Sequence, residues 1–208
     1  INQLTDTPVT NLTTGKNFYL QLNDLIKENI QARDRGARLI AAASAAFGGA
    51  FSCNSNKAEL AVGYATFYGD IAGALAMLGD LWKYQVYALG HYLNEEVFKR
   101  QIIPEAIFTI RPSAELSASQ TVGTGGDPLF YNYHDYLLRA FIENWHKTTP
   151  ADILRWYKQG ILSQELGCTE EALLEACPNA SALVTDLERW WKSVSYTHLR
   201  AHETRSNL

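Results

Sequence analysis

A chain of 208 residues, 47% of them apolar, can bury a sizeable single core, which excludes a largely disordered or fibrous protein. Its formal net charge of -4 leaves no basic footprint and argues against nucleic acid as the main partner. Cys53, Cys168 and Cys177 lack C-x-x-C spacing, so neither a zinc site nor a disulfide framework is indicated, and no apolar run approaches a membrane span. A cytoplasmic protein without a membrane partner or signal peptide is expected, and the absence of Met at Ile1 points to a chain that begins partway through a gene.

Residues 1–16 are polar and broken by Thr7-Pro8 and Gly15, and read as a loop. Phe18, Leu20 and Leu22 alternate with polar neighbours and predict a short edge strand. Asp24 to Phe47 changes to helical spacing, with Leu25, Ile26, Ile30, Ala37, Ile40 and Ala43 on the apolar side and Gly48-Gly49 as the stop. Asn29 and Arg33 share one face of this helix, as a solvated stripe or as ligand contacts.

Gly49 to Cys53 reads as a short buried parallel strand, followed by a polar turn (54–56) and a helix from Lys57. A strand that delivers a polar turn to a helix N-terminus is where phosphate binds in an open α/β sheet. Asn56 with Glu59 three residues on is also a capping box, which needs no catalysis to explain it. Gly63, Gly69 and Gly73 make the next stretch rich in small residues. Asp80 reads as the N-cap of a helix striped by Val86, Leu89 and Leu93, and Lys83 in its first turn opposes the helix dipole. Residues 94–111 read as a connection with at most one short helix.

The glycines of 121–128 lack a Gly-Lys-Ser/Thr ending and a preceding strand, so they are no phosphate loop. From Tyr133 onward helices are expected: Tyr136, Leu137, Ala140 and Phe141 in one, Thr149-Pro150 opening a second, Thr169 a third that ends by Pro178, and Leu183, Leu187, Trp190 and Trp191 in the last. His134 and His146 read as structural or surface histidines. The stretch 193–208 has no apolar periodicity, resembles translated sequencing adapter, and is expected to be unpacked and without function; His198 and His202 lack the intervening Glu of a zinc-protease motif.

Three stretches in order, E-N-I-Q-A-R-D-R (28–35), N-K-A-E-L-A-V-G-Y-A-T-F-Y-G-D-I-A-G-A-L-A-M-L-G-D-L-W-K (56–83, continuing to Asn94) and R-P-S-A-E-L (111–116), resemble NAD synthetase, most closely its long glutamine-dependent form. The likeness runs from about residue 25 to about residue 192. It implies a truncated Rossmann-like, adenine nucleotide alpha-hydrolase-like α/β fold: a parallel sheet with a mainly helical C-terminal half, the partial ligase domain filling 1–192. It also implies the reaction. ATP adenylates the nicotinate carboxylate of deamido-NAD, and ammonia derived from glutamine displaces AMP, with Mg2+ as cofactor and a homo-oligomer as the assembly.

By the same resemblance Lys83 and Asp70 are catalytic, and Asn54, Lys83 and Ser113, with Glu115 close by, meet ATP. Asn29, Arg33, Glu59, Tyr64 and Asp70 meet deamido-NAD, and Glu59 binds the metal. Asn54-Ser55 replaces the Thr-Gly of many relatives, and Ala74 stands at a position that is acidic in short-form relatives. The family's S-G-G-x-D-S loop does not occur, so an inactive fragment is expected. Two other readings stay open: a helical oligomerisation or interaction module anchored by its five Trp and eleven Tyr, and the nucleotide-binding part of another adenylating amidoligase.

Overall fold

Asn11 turns the chain back on itself by accepting the amides of Thr13 and Thr14, and Gly15 completes the turn at φ +69°. The flanking residues pair as a minimal antiparallel hairpin, β1 (Val9–Thr10) with β2 (Asn17–Phe18). Part of the expected loop is therefore a strand, and the alternation that predicted an edge strand at 18–22 yields only Phe18. This computed structural model describes residues 6–110, 112, 128–144 and 147–199, which fall into two units. The first comprises 6–52, 66–75 and 112; the second comprises 53–65, 76–110, 128–144 and 147–199.

In the first unit Asn23 accepts the Ile26 amide and opens a helix that runs as expected to 46: α1 (Asp24–Arg33), a π-helical stretch (Asp34–Ile40) and α2 (Ala41–Ala46). Gly48, at φ +64°, ends it. The apolar stripe is not what the helix buries. Ile26 and Ile40 stay 38% and 40% exposed, whereas Ala32 is 1% exposed and Gly36 is buried. Ala32 and Gly36 lie one turn apart and receive the backbone of Gly69, so close that a Cβ on Gly36 would collide with the Gly69 carbonyl oxygen. The strand expected at 49–53 reduces to one parallel bridge, Ser52 to Leu75, beside a bond from the Ala74 amide to the Phe51 carbonyl (2.9 Å). Among the described residues the one sheet is the antiparallel hairpin, and no parallel sheet forms, because the 49–53 stretch has a partner over a single residue.

The second unit is helical: α3 (Lys57–Val62), α4 (Lys83–Tyr92) with a π-helical turn (Leu93–Val97), α5 (Ala106–Thr109), α6 (Tyr131–Ile142), α7 (Pro150–Gln159), α8 (Leu162–Leu166), α9 (Glu170–Ala176) and α10 (Ala180–Val194), which continues as a π-helical turn (Ser195–Leu199). Thr149, Thr169 and Asn179 cap α7, α9 and α10 through their side chains, and Pro150 sits at the first position of α7. At the centre is α6, which packs against α3, α4, α8, α9 and α10. Tyr133, Leu137 and Leu138 are fully buried on it together with Trp82, Ile153, Leu162 and Leu183 from its neighbours. Each such aliphatic side chain contributes about 1.5–3 kcal/mol by leaving water.

His134 is structural, as expected. Its Nδ1 accepts the Phe130 amide (2.7 Å), which places the proton on Nε2, and Nε2 donates to Asp186 (3.1 Å) on α10. Asp186 also accepts Trp190 Nε1 (2.8 Å). Glu143, just past α6, joins three segments: its Oε1 accepts Trp82 Nε1 (2.9 Å) and pairs with Lys57 Nζ (2.5 Å). Burial pushes the Glu143 carboxyl up, but the bonds from Lys57 and Trp82 outweigh it and hold the group below the usual carboxylate range.

Two expectations need correcting. Asp80 is not the N-cap of α4; Trp82 is, and its indole is fully buried. Anchoring by Glu143 holds the chain extended through Trp82, so the helix starts only at Lys83. Nor does packing stop at 192: Val194 is 6% exposed, and the chain stays helical to 199. His146, Ser113, Glu115, the 121–127 loop and 200–208 lie outside the described residues.

Gly36→Ala is expected to destabilise the protein by about 1–3 kcal/mol, since backbone rather than a mobile side chain must move, and chemical denaturation measures it. For Glu143→Gln the sign follows from a folded-state pKa below the unfolded one. Wild type should exceed the variant by a constant margin above pH about 5, and the margin should shrink as pH falls below about 4, read from denaturation midpoints across pH.

Candidate active site

Asn56 and Glu59 cap α3 reciprocally. Asn56 Oδ1 accepts the amides of Ala58 and Glu59 at 2.9 and 3.2 Å, and Glu59 Oε2 accepts the Asn56 amide at 3.0 Å. The Lys57 amide donates to the Leu81 carbonyl at 2.9 Å. The first-turn donors of α3 are thus already used, and the phosphate cradle expected at this turn is not built from them. Any anion here must be met by side chains. Asn54, the first residue of the turn, is exposed.

Glu59 Oε1 accepts Asn56 Nδ2 (2.9 Å) and, from α6, the Tyr131 hydroxyl (3.1 Å). Lys83, the first residue of α4, places Nζ 5.3 Å from the centre of the same Tyr131 ring and 5.5 Å from that of Tyr87. The acid and the amine therefore meet on one aromatic side chain. Among the described residues Lys83 forms no salt bridge; its ammonium lies over two aromatic faces, within the field of the Asp135 carboxyl. Beneath it lies Asp135, fully buried on α6, whose Oδ2 accepts the Tyr84 amide at 3.0 Å. Burial pushes the Asp135 carboxyl up to about 7 against the pull of the Tyr84 and Lys83 amides. Tyr64 donates its amide to the Glu59 carbonyl (2.9 Å) and is half-buried against the core of this unit.

In the first unit Asn29, Arg33 and Asp70 gather on the 66–70 loop. Asn29 Oδ1 accepts the Thr66 hydroxyl (2.7 Å), Arg33 Nε donates to the Phe67 carbonyl (3.1 Å), and Asp70 accepts the Thr66 amide (2.8 Å). Tyr68 adopts φ +62° within that loop, a conformation rare outside glycine. Asn29 and Arg33 thus fasten the loop, and Arg33 and Asp70 remain exposed.

Among the described residues no group of three or more His, Cys, Asp or Glu could hold a metal. Sequence reasoning missed Tyr131 and Asp135. The usable signal was an acid at 135 among apolar residues on the inner face of a helix.

The family model described as NAD synthase matches residues 4–163. A glutamine-dependent NAD(+) synthetase of Thermotoga maritima is 43% identical over 120 residues, which cover 58% of this chain and 20% of the relative. One from Xylella fastidiosa is 41% identical over 152 residues, covering 73% of this chain and 27% of the relative. The structure of glutamine-dependent NAD+ synthetase from Acinetobacter baumannii in complex with ADP aligns with 70% of this chain and 24% of its own at 32% identity, with a TM-score of 0.39, too slight a likeness to fix the fold. The chain spans about a fifth to a quarter of the curated relatives' length. A family model that covers most of the sequence, including both the Glu59 and the Lys83 segments, settles its membership: the chain belongs to the NAD synthase family.

Proposed function

We propose that this chain supplies deamido-NAD and Mg·ATP contacts of an ATP-dependent, glutamine-dependent NAD(+) synthetase, a ligase that forms a C–N bond. The observation that carries the reading is the meeting of Glu59 and Lys83 on Tyr131, within a sequence that matches the NAD synthase family. In the reaction a nicotinate carboxylate oxygen attacks the α-phosphorus of ATP and pyrophosphate leaves. Ammonia then adds to the acyl carbon and AMP departs. Turning a poor electrophile into a mixed anhydride needs positioned charge rather than a nucleophilic side chain.

In this reading Lys83 neutralises phosphate charge as pyrophosphate leaves, and Asn54 and Ser113 contact ATP. Asn29, Arg33, Tyr64 and Asp70 bind deamido-NAD. Mg2+ takes few protein ligands and fills its shell with water and substrate phosphates, so a site without a cluster of three such side chains suits it, and Glu59 would hold it. Bound there, the ion would offset phosphate charge. The cap bonds and Tyr131 fix the orientation of the Glu59 carboxylate before any ligand arrives. The family resemblance supports a homo-oligomer in the cytoplasm.

Thermal shift tests the reading. Mg·ATP and deamido-NAD should each stabilise the wild-type chain, by about 2.7 kcal/mol at one hundred times Kd, and no shift with either ligand would overturn it. Lys83→Ala should keep its ligand-free melting temperature and lose the Mg·ATP shift. Tyr131→Phe keeps the ring under Lys83 but removes the bond to Glu59; ATP binding should weaken about fivefold with Mg2+ present and change little without it, by calorimetry.

A further inference from the structure

We propose that Asp135 is a positioning residue of this site: reaching from α6, its carboxyl caps the first turn of α4 and so sets where Lys83 presents its ammonium. The functional meaning rests on Lys83 as a phosphate contact; the anchoring itself does not.

A helix that starts at Lys83 needs an acceptor for its first amides, and its N-cap, Trp82, has no side-chain oxygen to offer. Gln85 reaches back to accept the Trp82 amide (3.0 Å), which leaves the next donors unmet within the segment. Asp135 meets them from outside, accepting the Tyr84 amide at 3.0 Å, while the Lys83 amide pulls more weakly on the same carboxylate. This tertiary cap joins the backbone of the first turn of α4 to α6.

The burial of Asp135 is costly, which argues that the group is there for a reason. It is 0% exposed, and among the described residues its Oδ1 has no hydrogen-bond partner. The charged and titratable groups around it are Lys83 and Tyr87 from α4, Glu59 from α3 and Tyr136 from α6. Either form of the carboxyl can accept the Tyr84 amide, more strongly when ionised, so the cap is present in both. Tyr131 lies four residues before Asp135, on the same face of α6. One helical face therefore holds Lys83 twice, the backbone at Asp135 and the ammonium at Tyr131.

The test uses the full chain carrying Asp135→Ala, Asp135→Leu or Asp135→Asn, each with and without Lys83→Ala. Acylation of Lys83 relative to exposed Lys192, followed by peptide mass spectrometry, reports the placement of the amine without ligand. Calorimetry reports Mg·ATP affinity. Loss of the acceptor should change the labelling ratio about threefold and lower affinity about tenfold, Asn should restore both, and the double variant should bind no worse than Lys83→Ala alone. Leu replaces Ala as the probe if Ala does not fold. Unchanged labelling and affinity in the folded acceptor-free variant, or additive losses in the double variant, would overturn the proposal, because a merely structural role predicts additivity. If wild type fails to bind Mg·ATP, the proposed function falls, and the labelling ratio alone decides the anchor.

Discussion

One buried carboxyl and one phenol, a helical turn apart on α6, govern the geometry of the second unit's site. Asp135 stands where α4 begins, and Tyr131 joins the side chains that project from α3 and α4. Both can do so because α6 is enclosed by five other helices, which leaves its rotamers little freedom. Glu143 extends the arrangement at the far end of the helix, where Trp82 and Lys57 share one carboxylate oxygen. The helix that dominates the core thus also sets the positions of the candidate catalytic groups.

Capping decides what kind of site this is. A bare α3 N-terminus would offer amides to a phosphate, but Asn56, Glu59 and the Leu81 carbonyl already occupy them. In the proposed function charge neutralisation would consequently fall to side chains, Lys83 among them, rather than to the amides of α3. Glu59 caps its helix and meets Tyr131 of α6 with the same carboxylate. The Asn56 amide, Asn56 Nδ2 and the Tyr131 hydroxyl fix its orientation.

The first unit works by a different constraint, the near approach of two backbones. Ala32 and Gly36 admit Gly69, which brings the 66–70 loop within reach of Asn29 and Arg33. Small residues, not the apolar stripe, are what this helix buries. Leu39 and Phe47, 52% and 91% exposed, show how little of its apolar surface the described residues cover.

Local rules account for what could be read without coordinates. Asn23, Asn56, Thr149 and Thr169 bond to amides two or three positions away, and Gly48 terminates a helix through its own φ, so the starts and stops of those helices were legible. The period of Leu183, Leu187 and Trp190 identified the inner face of α10 for the same reason. Motif spelling carried family membership and the choice of Glu59 and Lys83. The start of α4 at Lys83 rather than after Asp80, the spent amides of α3 and the roles of Tyr131 and Asp135 were decided only on folding. The Lys57 amide of α3 is met by Leu81, 24 residues beyond Lys57, and the other features depend on partners 51 to 72 residues apart in the chain; no periodicity within a segment encodes which distant acceptor will meet which amide.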